Sequence, residues 1–318
     1  MPAVSHAASA MAAPPAARRR TPSLRTRERL TALLFSAPAA ALLVLFLIAP
    51  FVSAVVLSFT NQRLSSPLPV AFVGLENYQR LFDDPLFWRS FGNNVLFSAI
   101  VVPLQTAAAL GLAVLVNRAL PGRTFFRTVY FLPTVTVMAV AAVIWKLLLL
   151  PEGGLVNGAL GIVTFDQFQP GWLSSSGWAM PGIVLTSLWQ GVGFQMVIFL
   201  AGLQTIPAQL YEAARVDGAT AWQQFRHVTL PGLRNTLIFV INVTSIFAFR
   251  LFDQVYLMPQ FPGGPTDATR TMMLELLQTG YTRRMIGQAS ALAVVFFLFV
   301  LAVSLIQRRL GREERAIR

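Results

Sequence analysis

Apolar residues gather into six runs, near residues 33–59, 92–117, 125–150, 180–204, 236–258 and 288–307, with shorter polar stretches between them. A helix needs about 20 predominantly apolar residues to cross the hydrocarbon core of a bilayer, and every run reaches that length. The pattern therefore predicts an all-α polytopic membrane protein with six transmembrane helices. An even number of spans puts both chain ends on one side. The first run, LLFSAPAAALLVLFLIAPFVSAVVLSF, is too long for the apolar region of a signal peptide and reaches the polar loop at Thr60 without a cleavage-type ending, so it reads as a retained helix.

Composition agrees with the pattern: 55% of the 318 residues are hydrophobic and 12% charged, and the mean hydropathy is +0.61. The formal net charge of +12 could suggest a nucleic-acid partner, but the arginines are distributed by loop. One alternating set of segments holds 17 of them (from Arg18 to Arg29, 118 to 127, 215 to 234 and 308 to 318), and the opposite set holds six: Arg63, Arg80, Arg89, Arg270, Arg283 and Arg284. Positive residues favour the cytoplasmic side, so both termini and the loop between the fourth and fifth runs are expected there. The charge is a topology signal and nucleic acid is not an expected partner.

The resulting organisation is a basic, disordered cytoplasmic tail over 1–30, a first span over 31–60, an external segment over 61–89, a transmembrane domain over 90–308 with a cytoplasmic loop at 205–233, and a second tail over 309–318. The tail at 1–23 is too rich in Ala, Pro and Arg to bury a core and suits contact with anionic membrane lipid. In the external segment, FVGLENYQRLFDDPLFW predicts a short interfacial helix.

The loop YEAARVDGATAWQQFRHVTLPGL, residues 211–233, concentrates charge between two apolar runs. Thr205 is available as a cap and Pro207 suits a first helical turn; the helix should stop at Asp217, where Gly218 supplies a left-handed residue. Thr220 and Gln223 then form a capping-box spacing for a second short helix with Trp222, Phe225 and Val228 on one face, ended by Leu230-Pro231. Small Ala213 and Ala214 beside Glu212 suit a knob entering another protein's groove. An amphipathic helix lying on the membrane fits the same residues.

This stretch resembles the signature of the membrane subunits of bacterial binding-protein-dependent ABC importers, EAA, three residues, Gly, nine residues, Ile, one residue, Leu-Pro. Here Val228 stands in the Ile slot and every spacing is met. LWQGVGFQMVIFLAGLQTIPAQLYEAARVDGA and FDQVYLMPQFPGGPTDATRTMMLE are similar to the sugar-type branch, and within it to the first of two paired permeases of the maltose or glycerol-3-phosphate kind. The likeness runs from about Leu30 to the C-terminus. Two departures are the PQF insertion at 259–261 and the lack of a large external insertion. The resemblance implies a type I importer permease in which Glu212, Ala213, Ala214, Asp217 and Gly218 form a coupling helix contact and Leu230 and Pro231 end the segment. It also implies a second permease, two ATPase subunits that carry ATP and Mg, and an external solute-binding protein.

Chemistry on the chain itself is sparse. A phosphate-cradling loop needs a Lys beside Ser or Thr, and the only Lys is Lys146 in IWKLLLL. There is no Cys, and His6 and His227 have no acidic partners at metal-ligand or general-base spacing, so no catalytic residue, metal site or resident cofactor is expected. A membrane enzyme would need a cluster that is missing. A self-contained secondary transporter or channel would suit six helices too, but lacks an obvious internal repeat and would have no use for a docking signature.

Polar side chains at lipid depth normally face a bundle interior or a cavity. Candidates for the substrate pathway are Trp189, Gln190 and Gln195 in the fourth run and Asn242, Ser245, Phe247, Arg250 and Asp253 in the fifth, with Gln190, Asn242 and Ser245 favoured for their depth. Arg250 and Asp253, spaced i, i+3, permit an ion pair. Asn93 and Asn94, opening the second span, and Gln105 within it are weaker candidates. The aromatic residues also read as ordinary packing, and Arg250 with Asp253 as a structural bridge.

Overall fold

The computed structural model describes residues 24–65, 69–118 and 122–313, which divide into two compact units, 1–53 and 54–318. The described part of the first unit is helical throughout. Helix α1 (Leu24–Leu43) passes into a π turn at Val44–Ile48 and then into α2 (Ala49–Leu57). The tail predicted over 1–30 is thus shorter, because residues 24–30 are already helix; residues 1–23 lie outside the described residues.

In the second unit, an antiparallel bridge between Thr60 and Phe72 leads to α3 (Glu76–Asp83), the short helix expected in this segment, with an ion pair between Glu76 and Arg80 on one face. The Asp84 carboxylate then accepts from the Leu86 amide at 2.8 Å and caps α4 (Pro85–Asn117), whose first residue is a proline where no backbone donor is needed. That cap moves the start of the second span back from 92 to 85. Asn93 and Asn94 therefore lie two turns inside a 33-residue helix, and the segment expected over 61–89 stops at Asp84.

The third run is not one straight helix. It is α5 (Arg123–Val135) and α6 (Met138–Leu148), bent by 101°. Pro133 lacks a donor and Thr136 is extended, so carbonyls at the bend need other partners. The Gln190 amide supplies one, donating to Thr136 O at 3.0 Å, while Thr134 Oγ1 donates to Gln190 O at 3.1 Å. The following loop contains an unforeseen helix, α7 (Leu155–Thr164), held by buried Asn157, which donates to the carbonyls of Pro151 and Pro170 and accepts from Trp172 Nε1.

Helix α8 (Ala179–Gln204) packs on α4 and α5. Gly193 lies against the backbone carbonyl of Tyr130, where any Cβ would collide, so the sequence spends a glycine on close helix approach. The loop that follows is α9 (Ala208–Val216), α10 (Ala221–Gln224), a π turn at Phe225–Thr229 and α11 (Leu230–Gly232).

The fifth run is also broken: α12 (Arg234–Phe249) ends before a non-helical step at Arg250–Phe252, and α13 (Asp253–Leu257) continues. After α13 come a 3₁₀ turn at Pro265–Asp267, then α14 (Met272–Leu277) and a π turn at Gln278–Thr282, none of which the hydropathy pattern predicted. The last helix, α15 (Ile286–Glu313), runs into the tail expected at 309–318. Among the described residues five helices are long and apolar enough to cross a membrane, and the bent α5–α6 pair makes a sixth candidate.

Two buried clusters join α4, α8 and α12 along their lengths, one around Ala109, Met196, Phe199 and Val240, the other around Phe97, Ile183, Leu251 and Val255. A third, of Leu81, Phe87, Phe249, Met272, Leu292 and Phe296, ties α3 and α14 to α15. Between helices surrounded by lipid such clusters act through van der Waals packing, which holds neighbours together but gives no direction. Direction comes from the amides that hold the helix breaks.

Candidate functional site

The 205–233 loop has the local geometry expected at its centre and differs at both ends. Gly218 has φ +75°, the left-handed conformation that stops α9, and the Thr220–Gln223 capping box is formed in both directions. At the start, Pro207 is itself the N-cap of α9; Thr205 instead closes α8 as its C-cap, its hydroxyl donating backward to Gly202 O at 2.8 Å. At the end, Leu230-Pro231 does not stop the helix. The π turn at Phe225–Thr229 absorbs the missing proline donor, and helix persists to Gly232 before a one-residue break at Leu233.

What the loop presents is a knob. Glu212, Ala213, Asp217 and Gly218 are exposed and Ala214 half-buried, and large apolar side chains stand beside them: Val216 is 88% and Trp222 67% exposed. Ala214, Asp217, Gly218, Gln224 and His227 line a shallow hollow of about 330 Å³. The two helices are braced by the Tyr211 and Thr229 hydroxyls, 3.0 Å apart, and by Gln224 donating to Ala219 O. Trp222 and Phe225 stack, as their predicted common face requires. An exposed apolar tip on a braced frame can enter a partner's groove with little reorganisation.

A second feature is a cavity of about 490 Å³ between α4, α5, α8 and the broken α12–α13 span. Of the eight pathway candidates it is lined by Gln190, Gln195, Phe247, Arg250 and Asp253. Trp189, Asn242 and Ser245 fall elsewhere. Trp189 packs edge-on against Trp145, Asn242 donates to Ile238 O within its own helix, and Ser245 receives Gln307 of α15. Depth along a helix was an insufficient guide, because the face a residue takes depends on which neighbours pack there.

Gln105, a weaker candidate, does line the cavity and donates to Ser187 O at 3.1 Å; Asn93 and Asn94 do not, Asn93 binding the carbonyls of Asp267 and Arg270 and Asn94 the backbone of Phe249 and Met272. Arg250 and Asp253 share the cavity rim without an ion pair between them among the described residues, because the helix that their spacing presumed is interrupted. Sequence reasoning missed Thr134, Ser187 and Gln254, all at the wall. Hydroxyls inside apolar runs carry little signal, since each can bond a carbonyl of its own helix, as Thr244 does with Val240 O at 2.6 Å.

Gln195 is the informative lining residue. It is 5% exposed, its amide donates to Thr244 Oγ1 at 2.6 Å, and its Oε1 is buried with no hydrogen-bond partner among the described residues. A buried acceptor left unpaired costs about 1–3 kcal/mol, so this atom favours a hydroxyl or amide donor arriving in the cavity. Among the described residues no group of His, Asp and Glu could hold a metal ion.

Residues 106–315 match the family described as binding-protein-dependent transport system inner membrane component. The chain is 37% identical over 286 residues to a probable ABC transporter permease protein of Bacillus subtilis, YurN, across 88% of this chain and 97% of that one. It is 37% identical over 285 residues to the sulfoquinovosyl glycerol transport system permease protein SmoG of Agrobacterium fabrum, across 90% and 91%. Among solved structures it is similar to a chain of a bacterial alginate ABC transporter in complex with alginate pentasaccharide-bound periplasmic protein. That match has a TM-score of 0.77 and 21% identity over 91% of this chain and 96% of the other, a likeness of fold.

Proposed function

The chain belongs to the family of binding-protein-dependent transport system inner membrane components, and from that premise we propose that it is one of two permease subunits of an importer for a sugar or glycoside. The observation that carries the substrate class is the 37% identity, over nearly the full length of both chains, to a permease for a glycosylated glycerol. The cavity supports it: neutral amides and hydroxyls beside phenylalanine rings, Phe247 among them, are groups that suit a polyhydroxylated ring, with Arg250 and Asp253 at one end.

In this reading a second permease closes the other side of the passage, two ATPase subunits bind ATP and Mg, and an external binding protein delivers the substrate. The 211–231 knob, with Glu212, Ala213, Ala214, Asp217 and Gly218 at its tip, docks into the ATPase. The arginine distribution supports a cytoplasmic position for the knob and both termini in the inner membrane. The strongest rival, a self-contained transporter, leaves the knob without a task.

The test is uptake of labelled glycosides by cells in which this chain is present and the ATPase partner carries a substitution of its phosphate-loop lysine. Uptake should fall to background. Transport that persists without ATP hydrolysis would overturn the importer reading, and ATP-dependent transport of non-glycosidic solutes alone would overturn the substrate class.

A further inference from the structure

The segment between α13 and α15 is held far more tightly than a connecting loop requires. Glu275, 1% exposed, accepts from Arg270 Nε at 2.7 Å, from Arg283 Nη1 at 2.8 Å and from Thr279 Oγ1 at 3.0 Å. Arg270 also pairs with Asp267 at 2.8 Å and donates to Gln278, and Arg283 reaches the α4 cap, Asp84, at 3.9 Å. The backbone enters this network through a run of left-handed residues, Gly263, Gly264, Thr266 and Asp267. A β-branched residue rarely takes that conformation, and Thr266 keeps it only where its surroundings over-determine the chain.

The same strap reaches the break in the fifth span. When α12 stops, the carbonyls of Phe249 and Leu251 need partners outside their own helix. Asn94 Nδ2 donates to Phe249 O at 3.1 Å while its Oδ1 accepts from the Met272 amide at 2.7 Å, so one α4 side chain joins the break to the strap. Thr271 Oγ1 donates to Leu251 O at 2.9 Å. The residues between these two carbonyls and just beyond them, Arg250 to Gln254, form one end of the cavity.

We propose that Asn94 and Thr271 are positioning residues that, anchored by the Glu275 ion network, hold the broken fifth span in place over the cavity. They touch no substrate. Their effect passes through Phe249 and Leu251 to Arg250, Phe252 and Asp253, whose placement sets the width of that end of the passage. The consequence for transport rests on the cavity being the substrate's route; the positioning itself does not.

The experiment reads the segment directly. In the assembled transporter in lipid nanodiscs, amide hydrogen exchange is followed over 249–258 and, as a reference, over 183–200 of α8. Thr271→Val keeps the shape and removes the donor, and should speed exchange in 249–258 about five- to tenfold, the change one lost hydrogen bond produces in a local opening equilibrium, with 183–200 unaltered. Asn94→Leu should do more, because two bonds go. Thr271→Ser should restore the native rate. Unchanged exchange in 249–258, equal acceleration in both segments, or failure of Ser to restore protection would each overturn the proposal. Uptake by Gln195→Leu separately decides whether the cavity carries substrate.

Discussion

The 205–233 loop and the strap at 263–285 lie at opposite ends of the fifth span and are built on opposite principles. The loop is assembled from neighbours in sequence: a left-handed glycine, a four-residue capping box, a tyrosine reaching the π turn. Its tip is exposed, so its residues are free to meet another protein. The strap is assembled from distant parts, with Asn94 bonded to residues 155 and 178 positions away and a carboxylate buried among two arginines. A surface built for docking can be stable by itself and act only through a partner; a buried network acts inside the chain, and any loss there is felt as stability.

Stability measurements should separate the two regions. The largest effect is expected for Glu275→Ala, which takes the buried carboxylate from both Arg270 and Arg283, leaves Arg270 only the half-exposed Asp267, and should lower unfolding free energy by about 3–5 kcal/mol, read as a fall in thermal midpoint of the purified subunit. A loss below about 1 kcal/mol would mean that water already reaches the network. Next comes Gly193→Ala, whose Cβ meets the Tyr130 carbonyl; backbone cannot yield as a side-chain tip can, and about 1–3 kcal/mol should be lost. Thr220→Ala removes the capping box and should cost about 1 kcal/mol, confined to local exchange in the loop.

The smallest effect on stability is expected for Ala213→Leu, close to zero, because the residue is exposed. That variant should nevertheless release the ATPase in co-purification and take uptake to background, since an added isobutyl group overpacks a close-fitting cleft. A helix that merely lies on the membrane would accept the leucine and keep full uptake. Stability loss in Ala213→Leu equal to that in Glu275→Ala would erase the contrast between the two regions.

The chain alone determined a great deal. The number of apolar runs, the all-helical class, the excess of arginine in one set of loops and the two short helices around Gly218 are all legible, because hydropathy, charge bias and caps are properties of contiguous residues. Tertiary structure decided the rest. It placed the breaks at Thr136 and Arg250, put Asn242 and Ser245 against their own helix and α15 instead of the cavity, and gave Gln190 and Asn94 the work of satisfying freed carbonyls. A helix breaks where some other side chain can satisfy the freed backbone, and here one such partner is more than a hundred residues away, as Asn94 is from Phe249. Hydropathy records what a residue avoids; only the packed chain shows what it meets.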